Sequence, residues 1–138
     1  MQEMGNRVLV YDYGSGTLQE VQDVSSLMEK DRKIPNTAAE IRINSAGTKL
    51  YVSNRGADNI SVYDVDREGR LALTGSISSG GKTPRCFAAA EDRDSGITYL
   101  VIANQDSNEI ISVKHMDFKE AAAEDSMQVG SPVCIWLL

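Results

Sequence analysis

Three residues of different chemistry, Glu3, Arg55 and Gln105, stand about fifty positions apart, and each follows a short strand-like run. A carboxylate can act as base for water, a guanidinium can hold an anion or a developing oxyanion, and an amide can orient the same ligand. Gathered on one rim, the three would suit attack of water on a carbonyl. Arg55 would also suit a phosphate, through its planar fork of donors. Glu40 and Arg85 make a second set near the starts of apolar runs. Glu40 is a further acid or base candidate and Arg85 an anion contact, unless they pair with each other or with a neighbouring charge. Asn54, beside Arg55, is either a ligand contact or, like Asn104, a turn residue bonding local backbone.

Other chemistries find little footing. His115 has no second histidine or cysteine at ligand spacing, so neither a metal nor a cofactor is expected. It reads as a strand-surface residue. Cys86 and Cys134 lack a CxxC spacing and read as small buried strand residues. Gly80-Gly81-Lys82-Thr83 lacks the phosphate-loop spacing GxxxxGK[ST]. A net charge of -6 with scattered cations argues against nucleic acid, while leaving room for a local basic pocket. No apolar run approaches the roughly 18 residues of a membrane span. Met1 to Asn6 shows no signal-peptide pattern, which implies a cytoplasmic protein. Trp136 and the aliphatic residues around it read as core strand.

What must position these residues is an internal repeat. Leu50-Tyr51-Val52-Ser53-Asn54-Arg55 followed by Asn59-Ile60-Ser61-Val62-Tyr63-Asp64 returns as Leu100-Val101-Ile102-Ala103-Asn104-Gln105 followed by Asn108-Glu109-Ile110-Ile111-Ser112-Val113. Val8-Leu9-Val10-Tyr11-Asp12 is an earlier copy of Ile60 to Asp64. Each unit reads as four short strands; in the central one they cover 39–43, 49–53, 59–65 and 71–76. Asp66-Arg67-Glu68-Gly69-Arg70 and Gly14-Ser15-Gly16 supply hairpins. Four-stranded units at this period indicate an all-β fold, a β-propeller whose blades stack around a channel. The chain supplies about two and a half blades: a part blade (1–36), two blades (37–84 and 85–132) and the first strand of the next (133–138). A helical turn is conceivable only within 118–127. Such open blade edges invite self-association, and the chain is expected to be a truncated form of a longer one.

Thr37-Ala38-Ala39-Glu40-Ile41, Leu50 to Gly56, Gly80-Gly81-Lys82-Thr83-Pro84-Arg85 and Ala103 to Ser107, in that order, resemble the seven-bladed propeller lactonases. The resemblance covers essentially the whole chain and corresponds to the C-terminal third of a family member. It implies ring-opening of a sugar δ-lactone by water, as in 6-phosphogluconolactonase of carbohydrate metabolism and the pentose phosphate pathway, without metal or cofactor. A carboxymuconate cyclase belongs to the same group. The family arginine falls on Arg55 and its glutamate on Glu3, while its histidine has no counterpart here. The isolated chain is therefore expected to be inactive, or to be a non-catalytic remnant that binds a ligand or protein. The expected partner is a small-molecule sugar lactone, with no nucleic acid and no membrane.

Overall fold

Alternating apolar and polar residues, interrupted by Gly, Asp and Asn, build strands joined by tight turns. The computed structural model describes residues 1–92, 95, 97–115 and 123–137. Its strands are β1 (Arg7–Gly14), β2 (Thr17–Ser25), β3 (Thr37–Ile43), β4 (Lys49–Arg55), β5 (Asn59–Val65), β6 (Leu71–Ser78), β7 (Pro84–Asp92), β8 (Ile97–Asn104), β9 (Glu109–His115) and β10 (Ala123–Gln128). They form antiparallel sheets β1-β2, β3-β4-β5-β6 and β7-β8-β9-β10, which are the outer half of one blade and two full blades.

Local chemistry sets the turns. Ser15 and Gly16 both have positive φ, 52° and 80°, which the two-residue hairpin from β1 to β2 requires. In the β5–β6 hairpin, Asp66 Oδ1 accepts the N–H groups of Glu68 and Arg70 at 2.9 and 2.8 Å. The hairpins between second and third strands share one device. Asn6, Asp58 and Asn108 occupy equivalent positions and are left-handed, with φ of 52°, 50° and 58°. Asn and Asp tolerate this conformation because their short side chains bond locally. Their carbonyls accept the N–H groups of Ser26, Ser79 and Val129 at 2.8, 3.0 and 2.9 Å. Their Oδ1 atoms take Asn36 Nδ2, the Thr83 N–H and the Ser131 N–H at 2.8, 2.8 and 2.9 Å. Each hairpin thus clasps the crossing to the next blade.

The period-two pattern then decides stacking. One face of the central sheet presents Tyr51, Ile60 and Val62 to Phe87, Leu100, Ile102, Ile111 and Val113 of the following blade. The other presents Val52, Tyr63 and Leu71 to Val8 of the preceding one. Fully burying such side chains contributes roughly 1.5–3 kcal/mol each. Innermost strand β3 lies beside innermost strand β7, and outermost β2 beside outermost β6. Gln22 joins the latter pair by bonding both the N–H and the carbonyl of Leu71 at 2.8 Å. Like strands meeting like strands is the arrangement of a propeller sector.

A buried polar seam reinforces the first interface. Asn54, with no exposed surface, directs Nδ2 at Ser26 O, Asn59 Oδ1 and Ser61 Oγ, each 3.0 Å away. Ser61 Oγ and the Tyr63 hydroxyl donate to the carbonyls of Ser26 and Ser25, each at 2.6 Å. Asn104 repeats the motif by donating to Ser79 O at 2.9 Å. The asparagines therefore bond the preceding blade crossing, not local backbone, because the end of the second strand lies beneath that crossing.

Three further expectations change. Ala123–Gln128 is a strand paired with β9, so the helical reading fails there, since an open β9 edge recruits the segment into its ladder; the rest of that reading falls outside the described residues. His115 is buried, its ring edge-on to Tyr51 at 5.7 Å and Nδ1 3.3 Å from the Tyr51 hydroxyl, because the third strand faces its neighbouring blade. Residues 133–137 form no ladder, and Trp136 is 80% exposed, because no second strand lies beside them among the described residues.

Two outcomes follow from the seam. Asn54→Ala strands buried partners and should lower unfolding free energy by about 2 kcal/mol or more in urea, whereas Gln19→Ala on exposed β2 should change it by less than about 0.5 kcal/mol. Burial holds the Tyr63 hydroxyl protonated well above the usual tyrosine range. An unfolded tyrosine ionises near about pH 10, so above that pH the unfolded chain binds fewer protons than the folded one. Stability from Tyr63 is full below about pH 10 and declines as pH rises further. Thermal melts across this range should show a decline that Tyr63→Phe reduces; identical pH profiles would contradict the assignment.

Candidate functional site

The rim is assembled by the hairpins between second and third strands. The Gln2–Arg7 bridge stands where Asn54–Asn59 and Asn104–Glu109 close the later hairpins. Glu3, Arg55 and Gln105 therefore occupy one position in successive blades, as the repeat implies. Gly56 permits the close approach of the crossing at this level. Its φ is 122°, and a Cβ there would lie 2.1 Å from the Pro35 carbonyl oxygen.

Arg55 and Glu3 meet. Arg55 Nη2 donates to Glu3 Oε1 across the boundary between the first and second blades. The Glu3 carbonyl also accepts the Ala38 N–H at 3.0 Å, so Glu3 is tied to both inner strands of the next blade. The Arg55 side chain is 18% exposed and that of Glu3 55%. An ion pair this open contributes at most about 1 kcal/mol. Arg55 Nε is buried with no hydrogen-bond partner among the described residues, which leaves donor capacity unspent. Gln105 is half-buried; its backbone N–H reaches Thr83 O at 2.9 Å, and its side-chain amide bonds nothing among the described residues.

Glu40 sits deeper, on the innermost strand. A bulge between Ala38 and Ile41 removes its N–H from the ladder and turns it to Ser53 Oγ at 2.9 Å. Its carboxylate accepts the Ile41 N–H at 3.0 Å and lies 3.5 Å from Arg42 Nη2 and 3.5 Å from Cys86 Sγ. Arg85 lies in the corresponding bulge of β7 and makes no ion pair among the described residues. Glu40 thus pairs with its neighbour Arg42 and not with Arg85. Asn54 is corrected as a ligand contact: it lies under the rim with its amide committed to the seam. Sequence reasoning overlooked the clasping Asn6, Asp58 and Asn108, whose shared spacing was the available signal.

Among the described residues no group of three or more His, Cys, Asp or Glu side chains is disposed to hold a metal ion. No helix among them is long and apolar enough to cross a membrane.

Comparison with known proteins agrees with this architecture. An uncharacterised protein of Lactococcus lactis is 36% identical over 104 residues, covering 75% of this chain and 29% of its own length. The 6-phosphogluconolactonase of Bacillus subtilis is 29% identical over 145 residues, covering all of this chain and 40% of that protein. The solved structure of a periplasmic gluconolactonase from Pseudomonas aeruginosa superposes with a TM-score of 0.81 at 26% identity, over 96% of this chain and 36% of that one. The chain thus spans from 29% to 40% of the length of these relatives. The family model described as a lactonase with a seven-bladed β-propeller matches residues 1–137, and the chain belongs to that family.

Proposed function

We propose that this chain is a sector of a sugar-lactone hydrolase, acting on a δ-lactone of the 6-phosphogluconolactone type. The observation that carries the reading is the Arg55–Glu3 pair: a guanidinium with unspent donors holding a half-exposed carboxylate at the joint of two blades. An incoming phosphate or carbonyl oxygen displaces the carboxylate from Arg55, whose fork then holds the ligand anion and the developing oxyanion. The released Glu3 takes a proton from water as it attacks the lactone carbonyl, the ring C–O bond breaks, and the proton passes to the leaving hydroxyl. Gln105 extends the same rim as an amide, and Arg85, in the bulge of innermost strand β7, adds a second cation. Glu40, already bonded to Arg42, is a reserve acid or base lower on the wall. The names of the Bacillus and Pseudomonas relatives support lactone chemistry and leave the phosphate open. A phosphorylated lactone fits a cytoplasmic address, since so charged a sugar does not cross a lipid bilayer unaided.

A second reading rests on Glu3 staying paired with Arg55, which leaves no free base for water. On that reading the chain binds the anion and does not turn it over. Titration of the chain with 6-phosphogluconate and with gluconate, followed by NMR, tests the shared part. Saturable shifts at Arg55 and Gln105 are expected, stronger for the phosphorylated acid, with Arg55→Ala weakening binding about 10- to 100-fold. No saturation, or an unchanged Arg55→Ala, would overturn both readings. Lactone hydrolysis corrected for spontaneous opening then separates them. A rate above buffer that falls about 100-fold in Glu3→Gln establishes the hydrolase, and binding without rate establishes the non-catalytic sector.

A further inference from the structure

Cys86 and Cys134 fall at the same place in successive repeats. Ile41 pairs with Val52 and Phe87 with Ile102, so Glu40 and Cys86, each one residue earlier, stand at the same level of neighbouring innermost strands. Their contact agrees: Cys86 Sγ lies 3.5 Å from Glu40 Oε2. The next step of the repeat follows the same rule. Thr83 and Ser131 are both left-handed, and both give their N–H to the clasping Asp58 and Asn108. Pro84 and Pro132 come next and are buried, which puts Cys134 where Cys86 stands one blade earlier. The Ile135 backbone N–H is near enough to the Cys86 thiol to favour its ionised form, which places the residue adjoining Cys134 close to Cys86. Ile135, Trp136 and Leu137 share a cleft with Ala88 and Ala89 of β7, and residues 133–137 are part of no ladder among the described residues. Both thiols are free here, Cys86 buried and Cys134 exposed.

We propose that Cys86 and Cys134 form a reversible disulfide that fastens the strand-like segment 133–137 to the channel face of the third blade. The chemistry is thiol–disulfide exchange with a small disulfide such as oxidised glutathione. The exposed Cys134 thiolate attacks it, forming a mixed disulfide and releasing one reduced glutathione. Cys86 then attacks the Cys134 sulfur and displaces the second. Two protein thiols are oxidised, one small disulfide is reduced to two thiols, and the two protein thiol protons pass to the departing thiolates. Burial raises the Cys86 thiol, which assigns the first attack to Cys134. Closure removes the S–H contact with Glu40, so the bond also alters the wall beneath the rim.

The inference does not depend on lactone chemistry. The whole chain, equilibrated in glutathione buffers of graded poise, is quenched by alkylation, weighed intact and digested. Expected is a monomer lighter by two hydrogens, with a peptide joining Cys86 to Cys134, reversed on reduction and absent in Cys134→Ser. Its melting temperature should exceed that of the reduced chain by about 5 °C or more, a rise that Cys86→Ser abolishes. Two alkylated thiols at every poise, stable glutathione adducts, or only dimers joined between chains would overturn it.

Discussion

A blade with two apolar faces cannot stand in water by itself, and everything else in this molecule follows from that constraint. The central sheet has Tyr51, Ile60 and Val62 on one side and Val52 and Tyr63 on the other, all essentially buried. Each face is satisfied only by a neighbouring sheet, so blades accumulate side by side. Apolar contact does not choose the rotation between them. The hydrogen-bonded clasps do: the same left-handed Asn or Asp, bonded through carbonyl and side chain to the next crossing, fixes each blade against the one before.

That geometry carries the rim. Because the clasp locks the end of each second hairpin, the residues before it are presented at equal height, and Glu3 reaches Arg55 from another blade. Asn54 lies just beneath, wholly committed to the seam. Stability and chemistry are thus divided between adjacent residues of one strand. The buried amide holds the blades, and the guanidinium next to it keeps open surface and unspent donors.

The repeat made the strands and the shared rim legible, since periods of two and of about fifty residues are properties of the chain itself. The aligned Glu3, Arg55 and Gln105 came from the same signal. What escaped depended on bulges and on packing between blades. The bulges of β3 and β7 fall at the same place in the repeat, so Glu40 corresponds to Cys86 and Ala39 to Arg85, a match that the starts of the apolar runs alone do not disclose. His115 looked like a surface residue because alternation says which residues share a face, not that both faces are covered. The alanine-rich composition before Ser126 favoured a helix, but the exposed edge of β9 offered hydrogen bonds that local propensity does not weigh. Trp136 needs a paired strand to be core, and here it has none among the described residues.

Stacking between two neighbours is most directly read by hydrogen exchange resolved to single amides. The account requires β4 and β5, enclosed on both faces, to be the slowest, with Val52 and Ile60 to Tyr63 opening only on global unfolding, while β1, β2 and β10 exchange far sooner. Equal protection across all ten strands, or rapid exchange in β4 and β5, would show that the sheets do not cover one another as described.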